Sequence, residues 1–231
     1  MRGAGKWAFW RFNWLIRHKL VRALERVGPH ARGVLLDVGC GAKPFAPVLA
    51  SKVDRYLGAD LPGSRDLGRR GVDPMPDVYA KAEDLPFRDG SLDTVLAMSL
   101  LTYLPEPSAF LDESRRVLRP GGMALLEFTQ MAPIHAWLPD YQRFTPTGAR
   151  RLLDRAGFDV VEIVPVGGLM TRVGLSTIAT LNRVNRGPTR ALTELPVRAL
   201  YIVLQLVFEL LDHLWVEPRE TITHLVAARR R

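Results

Sequence analysis

Two acids and a pair of glycines stand where a bound small molecule could be held. Residues 37–41 read Asp-Val-Gly-Cys-Gly and follow a short apolar run, and their glycines would let the backbone approach a ligand closely. Asp60 closes the next apolar run, nineteen residues beyond Gly41. Its carboxylate could accept hydrogen bonds from both hydroxyls of a ribose. A glycine turn followed by such an acid is typical of sites that bind nucleoside cofactors.

A further acidic motif, Glu83-Asp84-Leu85-Pro86-Phe87, follows the third predicted strand. There a carboxylate could bind the exocyclic amine of adenine while an apolar neighbour covers the ring. A dinucleotide fingerprint also needs a third glycine at the start of the next helix, where it admits a pyrophosphate. Pro44 occupies that position. The pattern therefore favours S-adenosylmethionine, which has no phosphate, over a nicotinamide dinucleotide.

Strand and helix patterns alternate from residue 33 to residue 128, which is typical of βαβ units and a parallel sheet. The predicted strands are 33–38, 55–60, 78–80, 92–98, 123–128, 158–164 and 221–228, and the predicted helices are 6–27, 44–52, 107–118 and 147–156. Gly121-Gly122 is read as a turn into the fifth strand. We predict an α/β fold with a doubly wound, mostly parallel sheet of seven strands.

Five stretches of the chain resemble the class I S-adenosylmethionine-dependent methyltransferases that modify small molecules. They are LLDVGCG at 35–41, YLGAD at 56–60, AEDLPF at 82–87, DGSLDTVLAMSLLTYLPEP at 89–107 and RRVLRPGGMALLEF at 115–128. The stretches follow one another in the order of that family. Lys43 departs from it, since a third glycine is common at this position. The resemblance implies a Rossmann-like fold and transfer of a methyl group from S-adenosylmethionine.

The resemblance also assigns each motif to a part of the cofactor. The residues implied are Asp37, Gly39, Cys40 and Gly41 for the methionine end, Asp60 and Leu61 for the ribose, Glu83, Asp84 and Leu85 for the adenine, and Met98 and Ser99 beside the sulfonium. The other interpretation of Asp60 and Asp84 is that they only form turns.

The loop after the fifth strand, PIHAWLPDYQRFTP, usually faces the acceptor in this family. His135 is our candidate for a general base, and the alternative is a structural or hydrogen-bonding histidine. We place Tyr103, Asp140, Tyr141 and Arg143 with it as candidates for binding the acceptor. The acceptor we expect is a small or lipid-like molecule that is methylated at oxygen.

The formal charge of +8 is concentrated at the two ends of the chain. Residues 1–32 carry a net charge of +7, residues 33–171 carry −3 and residues 172–231 carry +4. Basic ends could meet phosphate groups of lipid, of a nucleotide-linked sugar or of nucleic acid, or could simply be solvated helix faces. The single cysteine, Cys40, excludes an intrachain disulfide. The histidines show no spacing that suggests a metal site.

We divide the chain into an amphipathic N-terminal helical segment at 1–32, a cofactor-binding core at 33–166, a helical cap at 167–218, and a last strand with a basic tail at 219–231. In the cap, Arg198, Gln205, Glu209 and Asp212 form one polar stripe on an otherwise apolar helix. So broad an apolar face should be buried, first of all against the domain itself. A partner chain in a homodimer, a greasy substrate or a membrane are the alternatives.

Neither a signal peptide nor a membrane-spanning segment is apparent, so we expect a cytoplasmic protein that could also contact the membrane surface. A non-catalytic or membrane-surface binding module on the same fold is one alternative function. Nucleic-acid methylation is another, prompted by the basic N-terminus. It is disfavoured because residues 97–100 read Ala-Met-Ser-Leu, without the Asn/Asp-Pro-Pro-aromatic clamp of amino-methylating DNA enzymes.

Overall fold

The computed structural model describes residues 13–62, 76–134, 138–185, 190–215, 217 and 219–231. Seven strands form a single sheet: β1 (Val34–Val38), β2 (Arg55–Asp60), β3 (Val78–Tyr79), β4 (Leu92–Ala97), β5 (Leu118–Thr129), β6 (Phe158–Val166) and β7 (Thr223–Arg230). Their order across the sheet is β3-β2-β1-β4-β5-β7-β6. The strands β1 to β5 pair in parallel, and β7 lies antiparallel to β5. The predicted mostly parallel, seven-stranded sheet is confirmed.

Six helices accompany these strands in the part of the chain that the structure describes: α1 (Trp14–Val27), α2 (Ala46–Leu49), α3 (Pro107–Val117), α4 (Pro146–Arg155), α5 (Leu169–Val184) and α6 (Arg190–Leu214). Three-residue 3-10 turns occur at Gly28–His30, Ala50–Lys52 and Leu101–Tyr103. The predicted helix at 44–52 begins two residues late, because Lys43 adopts a left-handed conformation with φ of 47°. Pro47 then falls in the first turn, where proline suits a helix.

The central strands are buried along almost their whole length. All of β4 and all but the first residue of β1 are buried, as expected for parallel strands that are covered on both faces. Phe110 of α3 and Leu153 of α4 belong to the same buried cluster. Val38, Ala59 and Ala97, near the ends of β1, β2 and β4, belong to this core as well.

The fifth strand differs from its prediction. It starts at Leu118 and runs through the glycine pair that we read as a turn. The register with β4 passes from Leu92–Leu118 to Thr94–Met123, so β5 accommodates extra residues in a bulge. Gly121 lies in this bulge with φ of 73°, a conformation that favours glycine. The glycine pair therefore bends a continuous strand.

The chain divides into two compact units. The first, here called the sheet unit, comprises residues 24–164 and 223–231. The second, here called the helical unit, comprises residues 1–23 and 165–222 and includes α5, α6 and the first part of α1. None of the helices that the structure describes is both long enough and apolar enough to span a membrane.

Within the helical unit, three residues of the polar stripe of α6 contact other parts of the chain. The side-chain oxygen of Gln205 accepts a hydrogen bond from the N–H of Leu15, and Glu209 and Asp212 pair with α1 as well. The leucines and valines on the opposite side of α6 are exposed. Part of the apolar face is covered within the helical unit, since Phe208 packs against Gly174 of α5 and Tyr201 is buried. Of the polar stripe, Gln205, Glu209 and Asp212 face inward because α1 and the start of α5 supply partners for them, whereas Arg198 is exposed and pairs with Glu194.

Close packing between α5 and α6 gives a first prediction. A Cβ atom at Gly174 would lie 2.7 Å from Cγ of Phe208 and 2.9 Å from its Cβ atom. Although alanine favours a helix over glycine, we expect Gly174→Ala to lower the free energy of unfolding by about 1–3 kcal/mol, since overpacking costs that much. Thermal unfolding followed by circular dichroism measures the effect. Ser176→Ala, at an exposed position of the same helix, is the control. An unchanged or raised melting temperature for Gly174→Ala would contradict this packing.

Candidate functional site

The glycine turn after β1 is fastened to the end of β2. Gly39 and Gly41 have φ angles of 72° and 52°, which favour glycine. The N–H groups of Gly39 and Cys40 donate to the carbonyl oxygen of Ala59 at 2.9 and 3.1 Å. These bonds bring the turn and the second strand end together, as the sequence predicted for neighbouring parallel strands.

Lys43, the departure from the family pattern, preserves the left-handed turn that glycine would give. Its Nζ atom lies 2.6 Å from Oδ2 of Asp77, and the same oxygen accepts a hydrogen bond from the N–H of Gly58 at 2.7 Å. Despite desolvation by burial, the bonds from Lys43 and Gly58 lower the pKa of Asp77. The ammonium group of Lys43 is thus paired with the carboxylate of Asp77.

Asp37 is a buried carboxyl group at the end of β1. The hydroxyl of Tyr56 donates to its Oδ2 atom at 2.6 Å. Burial raises the pKa of Asp37 to about 7, with a contribution from the negative charge of Asp60, while the hydrogen bond from Tyr56 opposes the rise. A cation beside Asp37 would favour its ionised form. Tyr56 was not among the predicted site residues, and a tyrosine on a strand carries no sequence signal for this role.

Asp60 joins two of the predicted cofactor motifs. Its Oδ2 atom accepts a hydrogen bond from the N–H of Gly41 at 2.7 Å, and its Oδ1 atom accepts one from the N–H of Leu61 at 2.8 Å. The carboxylate therefore orients the turn after β1 as well as its own strand end. Because a carboxylate can accept about four hydrogen bonds, a pair of ribose hydroxyls is chemically compatible with it.

Side chains of α3 form hydrogen bonds with the backbone of the loop after β3. The N–H of Leu85 donates to Oε1 of Glu113 at 2.7 Å, and Arg116 donates to the carbonyl oxygens of Leu85 and Phe87 at 2.9 and 2.8 Å. Leu85 is buried, Glu83 is partly exposed and Asp84 is exposed, with Asp84 in a backbone bridge to Lys81. The loop is thus held in one conformation, and the roles of its two acids remain predictions.

At the end of β4, a buried glutamate that the sequence analysis missed holds Ser99. The N–H and the hydroxyl of Ser99 both donate to Oε2 of Glu127 at 2.9 Å, and Ser99 has a left-handed φ of 53°. Burial raises the pKa of Glu127 above its usual value, and the bonds from Ser99 only partly oppose this rise. The sequence signal that could have identified Glu127 is that it is a lone acid inside the apolar strand β5. Met98, the neighbouring candidate, is buried.

The acceptor-side candidates are linked by a few hydrogen bonds. Arg143 pairs with Asp140, with Nη2 and Oδ2 2.7 Å apart, and also donates to the carbonyl oxygen of Ala132 at 3.2 Å. The N–H of Tyr141 donates to the carbonyl oxygen of Thr102 at 3.0 Å, beside Tyr103. Tyr103, Asp140, Tyr141 and Arg143 therefore occupy one part of the sheet unit. His135 lies outside the described residues.

Metal and thiolate chemistry find no support in this site. Among the described residues there is no group of three His, Cys, Asp or Glu side chains that could hold a metal ion. Burial raises the pKa of the Cys40 thiol to about 12, and Asp37 and Asp60 contribute to the rise. Cys40 is therefore a neutral thiol that fills the turn, which suits it for packing and not for nucleophilic attack.

These features define a class of protein. The strand order β3-β2-β1-β4-β5-β7-β6 reverses direction between β1 and β4, and ligands of such sheets bind outside the carboxyl ends of the strands at that point. The glycine turn, Asp60 and Ser99 all lie there. A sheet of this order with these motifs is the Rossmann-like fold of the S-adenosylmethionine-dependent methyltransferases. Residues 36–126 match the model of the methyltransferase domain family.

Similar proteins support the same class. An uncharacterized methyltransferase of Mycobacteroides abscessus is 32% identical over 132 residues, which are 52% of this chain and 51% of that protein. A demethylmenaquinone methyltransferase of Clavibacter sepedonicus is 37% identical over 114 residues, 47% of this chain and 46% of that one. The chain thus spans about half the length of these curated relatives.

Among solved structures, phosphoethanolamine N-methyltransferase 2 of Haemonchus contortus, in complex with S-adenosyl-L-methionine, superimposes with a TM-score of 0.55. The match covers 95% of this chain and 56% of that one at 17% sequence identity. At this identity the likeness shows the shared fold.

Proposed function

We propose that this protein transfers a methyl group from S-adenosylmethionine to a small or amphiphilic acceptor, at an oxygen atom. The observation that carries the proposal is the carboxylate of Asp60, which binds the N–H groups of Gly41 and Leu61 at the end of β2. It lies at the position where the family match implies that the ribose is held.

The charges around the glycine turn fit this donor. The turn is flanked by two carboxyl groups, Asp37 and Asp60, and the ammonium of Lys43 is paired with Asp77. Such a site suits a ligand with an ammonium and a sulfonium group better than a pyrophosphate, which needs positive charge or unpaired N–H groups. Asp37, Gly39, Cys40 and Gly41 would hold the methionine end, and Leu85 would cover the adenine.

When bound, S-adenosylmethionine supplies a methyl group on a positively charged sulfur atom. The residues of this chain contribute by position: holding donor and acceptor in line supplies much of the rate of such a displacement. Ser99, fixed by Glu127, and the buried Met98 would shape the wall beside the reacting centre. Tyr103, Asp140, Tyr141 and Arg143 would orient the acceptor.

An oxygen acceptor requires that a hydroxyl proton leave, and we propose that His135 takes it. The names of the similar proteins point to different acceptors, demethylmenaquinone for one and phosphoethanolamine for another. We therefore base the proposal of an oxygen acceptor on the residues of the loop after β5 in this chain. That loop combines a histidine with the Asp140–Arg143 ion pair.

The ribose role of Asp60 can be tested by binding alone. We expect Asp60→Asn to weaken binding of S-adenosylhomocysteine by about tenfold or more in isothermal titration calorimetry, because a charged acceptor of two hydrogen bonds contributes about 1.5–3 kcal/mol. Asp54→Asn, at the exposed position before β2, should leave binding unchanged. Equal affinities for wild type and Asp60→Asn, with both folded, would refute the cofactor site; binding of NAD by the wild type instead would indicate an oxidoreductase.

The protonation of Asp37 predicts a pH dependence of cofactor binding. Since burial raises the pKa of this carboxyl to about 7, it is largely protonated below that pH and cannot pair with an ammonium group. Affinity for S-adenosylhomocysteine should therefore rise between about pH 6 and pH 8, by up to about tenfold per unit. Tyr56→Phe removes a bond that lowers the pKa of Asp37, so its midpoint should move to higher pH. Asp37→Asn should bind weakly with no such dependence, and a flat wild-type profile would exclude the assignment.

The base role of His135 can be separated from a hydrogen-bonding role. We expect His135→Ala to lower turnover by about 10²- to 10⁴-fold, the usual contribution of general acid–base catalysis, and to abolish the fall in rate at low pH. Release of S-adenosylhomocysteine with a panel of hydroxyl-bearing acceptors is the measurement. Recovery of the rate in His135→Gln would show that a hydrogen bond suffices, and unchanged turnover of His135→Ala at every pH would remove the residue from the reaction.

A further inference from the structure

The helix α6 of the helical unit has its polar side turned inward. Nε2 of His18 lies 3.0 Å and Nζ of Lys19 2.7 Å from the carboxylate oxygens of Glu209. Desolvation alone would raise the pKa of Glu209, but the bonds from His18 and Lys19 outweigh it and lower the pKa to about 2. The carboxylate is therefore ionised at any physiological pH and held against α1.

Asp212 completes this inward side. Its carboxylate accepts a bond from the Thr171 hydroxyl at 2.7 Å and from the N–H of Gly168 at 3.1 Å, at the first turn of α5, and it also pairs with Lys19 at 3.1 Å. Together with the bond from Leu15 to Gln205, these contacts fix the rotation of α6 about its axis. The opposite side of the helix must then face outward.

The outward side is apolar and exposed. The exposed fractions are 55% for Val203, 55% for Leu206, 60% for Leu210, 74% for Leu214 and 63% for Trp215. The first four are spaced three and four residues apart, which places them along one face of the helix, and Trp215 directly follows its last residue. Single exposed leucines are ordinary on a protein surface, but a contiguous row of them indicates an interaction surface. We call these five residues the apolar row.

The charge of the helical unit indicates what covers the apolar row. This unit holds twelve Lys and Arg residues against five acids, so it carries +7 of the total charge of +8. Four of the acids are paired with basic groups of the same unit: Glu194 with Arg198, Glu209 and Asp212 with Lys19, and Glu220 with Arg172. A second copy of the chain would bring two such units together against their repulsion. An anionic lipid surface would be attracted.

We propose that the helical unit docks on anionic lipid bilayers through the apolar row, with α6 lying in the plane of the interface. An interfacial helix of this kind buries an apolar face at the boundary between headgroups and acyl chains and gains further from nearby basic residues. The helix has 25 residues and an apolar row at its carboxyl-terminal half, where the two acids, Glu209 and Asp212, are turned to the protein side. Docking is independent of the proposed methyl transfer.

The test is vesicle flotation with the full chain. We expect it to float with vesicles of phosphatidylcholine and phosphatidylglycerol, at least tenfold less with phosphatidylcholine alone, and less with anionic vesicles at high salt, since exposed charges are then screened. Leu206→Glu combined with Leu210→Glu should reduce flotation at least tenfold. Because both side chains are exposed, the melting temperature should not change. Val161→Glu, at an exposed apolar position of the sheet unit, is the matched control and should float like the wild type.

Three outcomes would overturn the proposal. One is absence of the wild type from the floating fraction of anionic vesicles. Another is equal flotation of the double variant and the wild type. The third is that the wild type is a dimer in light scattering and does not float with vesicles, whereas the double variant is a monomer. That result would assign the apolar row to contact with a second copy of the chain. Binding of S-adenosylhomocysteine by the double variant, measured in parallel, keeps this result separate from the test of the cofactor site.

Discussion

The cofactor edge of this protein depends on one buried carboxylate, that of Asp60. By accepting hydrogen bonds from the N–H groups of Gly41 and Leu61, it ties the turn after β1 to the end of β2. Backbone N–H groups in a tight turn need acceptors when they are shielded from water. Asp60 supplies one oxygen to each of these two N–H groups, and both oxygens can accept further bonds from hydroxyl groups. The same side chain thus shapes the site and would contact the ligand.

Acids that hold loops recur along this edge of the sheet. Glu127 binds the N–H and hydroxyl of Ser99, Glu113 binds the N–H of Leu85, and Asp77 binds the N–H of Gly58. The loops after β3 and β4 are therefore positioned by acidic acceptors, as Asp60 positions the turn after β1, while Asp77 binds the backbone within β2. Such support limits the motion of the groups that must place a donor and an acceptor in line.

In the helical unit, acidic side chains orient a helix instead of a loop. Its α6 buries carboxylates and exposes leucines, because α1 and the start of α5 offer cations and N–H groups at the spacing of the polar stripe. The ion pairs fix the rotation of the helix, and the apolar row is the consequence. This exposed apolar row is the surface that we propose docks on a lipid bilayer. Electrostatics within the unit and the excess of positive charge on it together point to an anionic surface.

The sequence by itself determined the sheet and predicted which residues hold the donor. Alternating strand and helix patterns, a glycine turn at Gly39 and Gly41, and an acid at the end of the second strand are local signals, and each was found close to its predicted position. The tertiary structure decided the rest. Glu127 contacts Ser99 across 28 residues, and Glu209 contacts His18 across 191. A lone acid in an apolar strand marks Glu127 as unusual, but only the fold brings it to Ser99 and decides which side of α6 is exposed.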